Sequence, residues 1–229
     1  MLLLCLDTSS AAGSAAVVRD GRIVVERAGD AGRTHAERLP RELMSVLDDA
    51  RCSLGEIDGF VVVTGPGSFT GLRVGIAAIQ GLAFARDRHV YPVTAFEAYG
   101  RHAGGEHATA IWIDAHRGEV FATLLGVDGQ TVEQPSSRPP AITLEAWQTT
   151  LAGLTDIRFS GDGAVRYRHF IQDRVGPAAR VDETVPLLAG IAGQIACEDP
   201  RRAVSPHAVV PQYVRRPDAE LARDRRKFD

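Results

Sequence analysis

Phe60-Val61-Val62-Val63-Thr64-Gly65-Pro66-Gly67-Ser68-Phe69-Thr70-Gly71-Leu72-Arg73 is the stretch from which the rest of this chain can be read. The apolar run Phe60 to Val63 predicts a strand buried on both faces. Leu72 to Ala85 predicts a helix rich in Gly and Ala. Between them Gly65 and Gly67 permit backbone torsions that a side chain would forbid, and Pro66 stiffens the turn. Ser68 can cap the helix, with Thr70 as the competing candidate. Strand, glycine turn and helix N-terminus can hold a phosphate on free backbone N–H groups, or can form a tight turn that binds nothing. It is not a Walker A loop, because no Gly-Lys-Ser/Thr follows and Lys227 is the only lysine in the chain.

Upstream, Leu2 to Leu6 reads as a buried strand ending at Asp7-Thr8-Ser9-Ser10. Gly13 to Arg19 and Arg22 to Arg27 read as two more strands joined by an Asp20-Gly21 hairpin turn. Thr34-His35-Ala36-Glu37 is a capping-box pattern. Ala36, Leu39, Leu43, Val46, Leu47 and Ala50 then recur at helical spacing, with Pro40 about two turns in. Downstream, a short strand at Val90 to Val93 leads into a helix from Ala95 to Ala103.

The same order returns from Ala108. A buried strand ends at Asp114, a second runs from Glu119 to Gly126, and Asp128-Gly129 is another hairpin turn. A Pro-rich connection (Pro135, Pro139, Pro140) precedes a helix at Leu144 to Leu151. Ile157 to Ser160 is a strand leading into a second glycine turn, Gly161-Asp162-Gly163, with helices at Val165 to Arg174 and Leu187 to Cys197. Asp7 and Asp114 fall at equivalent places. The repeat predicts an α/β protein of two duplicated lobes, residues 1–105 and 106–200, with mixed sheets and flanking helices around a cleft. A Pro- and Arg-rich tail, 201–229, follows; Val209 to Arg215 is its only ordered-looking piece, and its run Arg223-Asp224-Arg225-Arg226-Lys227 reads as a solvated end.

Composition narrows the classes. At 229 residues with 45% hydrophobic and 24% charged content, the chain is long enough for a sizeable core. A net charge of −3 gives no global case for nucleic-acid binding. Cys5, Cys52 and Cys197 are odd in number and far apart, which argues against a disulfide framework and fits a reducing cytoplasm. The apolar N-terminus stops at Asp7, too short for a signal peptide or a membrane span.

The chemical candidates each have a plain alternative. Asp7-Thr8-Ser9 can face a phosphate or metal, or can be a turn in which Asp7 and Ser9 bond their own backbone. Gly161-Asp162-Gly163 would supply the matching turn across the cleft. Both lack a lysine and an evident carboxylate pair, so weak or no nucleotide binding is expected. His35 has no second ligand one turn on, where Leu39 stands, so no metal site is expected. No Ser or Cys sits in a Gly-x-Ser-x-Gly elbow. Gly71 and Gly75 share one face of the central helix, and Leu39, Leu43 and Leu47 one face of the first. These faces are either a partner surface or ordinary core. The expectation is a partner surface, so that Leu43→Glu or Gly75→Arg leaves a soluble, folded monomer that no longer pairs; were the faces core, the same change would unfold the chain.

Leu4-Cys5-Leu6-Asp7-Thr8-Ser9, His35 before Leu39-Pro40, and Gly65-Pro66-Gly67-Ser68-Phe69-Thr70-Gly71-Leu72-Arg73-Val74-Gly75 together resemble the bacterial TsaB (YeaZ) family. Ser160-Gly161-Asp162-Gly163-Ala164 and Pro211-Gln212-Tyr213-Val214-Arg215 are similar to its C-terminal patterns. The resemblance implies an actin-like ATPase fold and a cytoplasmic role in making N6-threonylcarbamoyladenosine beside the tRNA anticodon. It implies a non-catalytic scaffold that pairs with a TsaD-like transferase subunit, is joined by a TsaE-like ATPase, and meets tRNA through the complex. Alone, the chain would pair with a second copy. TsaD-like proteins carry a metal-binding His-x-x-x-His on the helix that here reads His35 and Leu39, so the transferase role does not carry over. ATP or ADP would be bound weakly, or at the interface within the complex. Implied interface residues are His35, Leu39, Leu43, Leu47, Ser68, Phe69, Thr70, Gly71, Arg73 and Gly75. A nucleotide-dependent transferase or kinase of the same fold is the alternative.

Overall fold

The computed structural model describes residues 1–215; the basic run Arg223 to Lys227 lies outside them. The first half contains β1 (Leu2–Asp7), β2 (Ser14–Arg19), β3 (Arg22–Ala28), α1 (His35–Asp49), β4 (Gly59–Val63), α2 (Phe69–Ala85), β5 (Val90–Val93) and α3 (Ala95–Ala103). The second contains β6 (Ala108–Asp114), β7 (Val120–Leu125), β8 (Thr131–Arg138), α4 (Pro140–Ala146), α5 (Gln148–Ala152), β9 (Ile157–Ser160), α6 (Asp162–Arg166), α7 (Arg168–Val175), β10 (Ala179–Val181) and α8 (Ala189–Glu198).

Two five-stranded sheets repeat one topology. The first has the order β3-β2-β1-β4-β5 and the second β8-β7-β6-β9-β10. In each, the first three strands form an antiparallel meander, and the last two add in parallel through helical crossovers. This is the actin-like ATPase architecture, duplicated as expected.

Strand periodicity builds the layers. Leu2, Leu4, Leu6, Phe60 and Val62 face α1 and α2 on the outside of the first sheet. Leu3, Cys5, Val61 and Val63 face the interior, where α3 and α8 lie between the sheets against Ile111 and Ile113. Ala110, Trp112, Ile157 and Phe159 face the outer helices of the second lobe. The order is therefore helices, sheet, helices, sheet, helices.

Local signals hold in detail. Asp20 (φ 49°) and Gly21 (φ 78°) form the left-handed pair of a hairpin turn. Glu37 accepts from the Thr34 N–H at 2.9 Å, closing the capping box of α1. Other expectations need correction. Pro135 lies inside β8, not in a connection, and is tolerated because β8 is an edge strand whose pairing slips between Ala122 and Leu124. The helix expected at 144–151 is α4 and α5 divided at buried Trp147, and that at 165–174 is α6 and α7 divided at Tyr167.

Packing does not follow the 1–105/106–200 division. Helix α8 packs on the first sheet, where Gly193 comes so near Val18 and Cys5 that a Cβ would lie 2.5–2.6 Å from them. Helix α3 packs on β6 and β9 of the second sheet. The tail is fastened through residue 215, 201–208 as well as the expected 209–215. Val204 pairs with Val90, Gln80 donates to the carbonyls of Pro206 (2.9 Å) and Val209 (3.1 Å), and Gln212 N–H donates to Thr64 at 2.7 Å. Arg215 then reaches Glu119 of the second lobe at 3.0 Å.

Candidate functional site

The two glycine turns follow β4 and β9 and pack against the ends of β1 and β6, in equivalent places of the two lobes. Asp7 accepts from the Ser9 N–H at 2.8 Å, and Ser9 accepts in turn from the Ser68 N–H at 2.7 Å. A Cβ on Gly67 would lie 2.3 Å from the Ser9 carbonyl oxygen. Ser68 is the cap of α2, its hydroxyl accepting from Gly71 N–H at 3.2 Å; Thr70, the competing candidate, lies within the first turn. The Gly65 carbonyl accepts from Ala95 N–H at 2.7 Å. In the second lobe a Cβ on Gly161 would lie 2.3 Å from the Trp112 carbonyl, and Asp162 accepts from the N–H groups of Asp114 (2.9 Å) and Gly163 (2.8 Å).

Each turn is thus sealed against the strand beside it. Burial pushes the carboxyls of Asp7 and Asp162 above the usual range, with the Asp162 charge adding to the shift of Asp7 and the Asp114 charge to that of Asp162. Tyr99 lies buried nearby, its hydroxyl pushed well up by burial and by the nearby Asp162 and Asp7. Asp114 is held by Arg166 at 2.6 Å. A metal–nucleotide would need free amides at these turns; the amides named above are spent on the chain itself. The residues do not fit a metal–nucleotide site as arranged. Among the described residues no group of three His, Cys, Asp or Glu is placed to hold a metal ion.

His35 works as a pin. Arg38, buried to 4% exposure, donates to its Nδ1 at 2.7 Å, so Nδ1 is the acceptor and Nε2–H donates to the Ser10 carbonyl at 3.1 Å. Burial first, then the Arg38 charge, holds the imidazole below its ordinary range and keeps it neutral. Arg38 also donates to the carbonyls of Ala11 and Ala12 and to Glu42. The loop after β1 is thereby fastened to α1.

The helix faces resolve differently from the sequence expectation. Leu39, Leu43 and Leu47 are buried in the chain's own core, Leu43 at 5% exposure. Gly71 and Gly75 turn inward: a Cβ would lie 2.2 Å from the Thr8 carbonyl and 2.1 Å from Thr8 Oγ1, respectively. Neither Leu43→Glu nor Gly75→Arg would leave a folded monomer. The glycines exist so that α2 can approach the end of β1.

The open surface lies one step round each helix. Between α1 and α2 runs an apolar groove of about 570 Å³, with Met44, Pro40, Val74, Ala77, Gly81 and Leu82 on its walls and Leu39, Leu43 and Leu47 at its floor. Met44 is 51% exposed and Phe84, at the end of α2, is 82% exposed. Beside the start of α2, Phe69 is partly exposed, carries the Arg73 guanidinium 3.9 Å from its centroid, and meets Tyr213 at 5.3 Å between rings. Arg73 Nε donates to the Tyr213 hydroxyl at 3.0 Å. Met44, Ala77, Gly81, Phe84 and Tyr213 were not legible as surface residues. One signal was available: apart from Thr70, Arg73 and Gln80, α2 is built of apolar residues and glycine, and such a helix needs cover on more than one face.

A family model described as "TsaD: tRNA N6-adenosine threonylcarbamoyltransferase" matches residues 27–223. An uncharacterized protein of Mycobacterium tuberculosis (strain H37Rv) is 30% identical, over 95% of this chain and 93% of the relative. The Bacillus subtilis (strain 168) tRNA threonylcarbamoyladenosine biosynthesis protein TsaB is 27% identical, over 96% of each. Among solved structures, YeaZ from Pseudomonas aeruginosa superposes with a TM-score of 0.73 at 29% identity, covering 93% of this chain and 99% of that one.

Proposed function

The chain belongs to the TsaB (YeaZ) family of tRNA threonylcarbamoyladenosine biosynthesis proteins, and on that premise we propose that it acts by contact, as a non-catalytic subunit pairing through the α1–α2 groove with a transferase of the TsaD type. The observation that carries this is the groove itself: about 570 Å³, almost wholly apolar, open to solvent and flanked by exposed Met44. A contiguous apolar surface of this kind marks an interaction site. At roughly 25 cal/mol per Å² of apolar area buried, an interface of ordinary size would hold a stable pair. The sealed turns at Asp7 and Asp162 support the non-catalytic half of the reading, with no nucleotide or metal held by the lone chain. A TsaE-type ATPase and tRNA would be met through that pair, and a second copy of this chain would occupy the groove when the transferase is absent.

Met44→Glu and Gly81→Glu test it. Met44 is exposed, and a Cβ on Gly81 meets nothing within 4 Å. Both variants are expected to melt as the wild type does, since surface changes cost about 0.5 kcal/mol or less. In analytical ultracentrifugation both should lose the TsaD-type subunit, and tRNA modification should fail with them. Wild-type pairing by both would overturn the reading. Steady ATP hydrolysis by the lone chain, abolished by Asp7→Ala, would replace it with the enzyme alternative.

A further inference from the structure

Arg73 is an exposed charge held in an unusually restrained position. Its guanidinium lies over the Phe69 ring, and its Nε is spent on the Tyr213 hydroxyl, 140 residues away in sequence. The two terminal nitrogens of the fork have no carboxylate partner among the described residues. A free arginine usually loses much side-chain entropy on binding; one already stacked and tethered loses less. Around it lies a second groove of about 480 Å³, on the other flank of α2, walled by Ile76, Ala77, Val209, Val210 and Pro211 with Gln80 below. Val210 is 69% exposed. Ala77 borders both grooves, so the second surface continues the first across the ridge of α2.

We infer that Arg73 is the polar anchor of the subunit interface: its free guanidinium fork, set on the Phe69–Tyr213 pair beside the groove of the 209–213 segment, receives a carboxylate of the TsaD-type partner. The inference rests on the pairing reading above and extends the contact from α1 and α2 onto the C-terminal segment. Charge and surroundings select the occupant. A planar fork with two parallel donors matches a carboxylate. Buried interface anchors are typically an arginine or aromatic residue ringed by apolar contacts, as here. An RNA phosphate would suit the fork as well, but an RNA surface needs several cations together, and Arg73 is the single charged residue on the walls of this groove.

Calorimetric titration of the purified TsaD-type subunit into the full chain distinguishes the outcomes. Arg73→Glu is expected to weaken pairing roughly 100-fold, and Arg73→Lys about tenfold, because the ammonium keeps the charge and loses the fork. Tyr213→Phe, which unfastens Nε and leaves the charge and the fork in place, should cost a few-fold. Wild-type affinity should fall with added salt more steeply than that of Arg73→Gln. Circular dichroism should show all four folded. Arg73→Glu pairing within threefold of wild type, while Met44→Glu has lost the partner, would overturn the anchor and leave the groove standing. Arg73→Glu that pairs normally but loses affinity for a tRNA transcript would overturn it in favour of RNA. Wild-type pairing by both Arg73→Glu and Met44→Glu would remove the anchor and the groove together.

Discussion

Two glycines on one helix, six residues apart, carry opposite expectations. Gly75 faces Thr8 Oγ1 at a distance that leaves no room for a methyl group, whereas Gly81 faces open space. Gly75→Ala should therefore destabilise the chain by about 1–3 kcal/mol through overpacking. Gly81→Ala should stabilise it by about 0.5–1 kcal/mol through helix propensity. Urea denaturation of the pair checks both signs. His35 makes a second prediction. Its imidazole is held below the ordinary range by burial and by Arg38, with Glu42 acting the other way. An unfolded chain titrates near pH 6.5 at this position, so below about that pH it binds more protons than the fold does. The His35 contribution should be constant above about pH 7 and be lost as pH drops from about 6.5 through the lower folded value. His35→Gln should flatten that slope, leaving a remainder from His102, which is shifted the same way by burial. Asp7, Glu26 and Asp162 are shifted upward and act with the opposite sign at lower pH, so the difference between wild type and variant is the quantity to measure.

Among elements, α2 does the most. One face packs on β1 and β4, its N-terminus is capped by Ser68, and its far side supports both open grooves. The segment after α8 is held to it by Gln80, whose amide nitrogen donates to two carbonyls of that segment. Gln80→Ala should cost about 1–2 kcal/mol, because two acceptors lose their donor. The loss should be local: hydrogen exchange should rise at residues 206–212 before it rises in β1 or β4. Uniform exchange across the chain would show that the segment is fastened by other contacts.

In the whole molecule the halves are interleaved. Helix α3 leaves the first half to pack on the second sheet, α8 returns from the second half to pack on the first, and Ala189 and Gly190 N–H groups are taken by Ser14 and Glu26. A cut after residue 105 would expose the interior face of β1, β2 and β4, which α8 covers. The fragment 1–105 is therefore expected to be unfolded or aggregated, and the full chain to melt in one calorimetric transition. Two separable transitions, or a soluble native-like fragment, would contradict the interleaving.

Periodicity and turn chemistry were sufficient for much of this protein. Continuous apolar runs marked strands buried on both faces, Asp20-Gly21 and Thr34 to Glu37 marked a hairpin and a helix start, and the repeated order from Asp7 to Asp114 exposed the duplication. Such signals are local, and local sterics and burial enforce them wherever the chain goes. Which side of a helix meets a partner is not local. A face of small residues serves close packing equally well against the chain's own Thr8 or against another subunit, and only the fold decides that Gly71 and Gly75 face Thr8. The leucine stripe of α1 likewise identified a buried face but not the groove above it. Tyr213 and Arg73 became one feature because the C-terminal segment crosses back over α2. That crossing depends on contacts between residues more than a hundred positions apart, which no pattern along the sequence encodes.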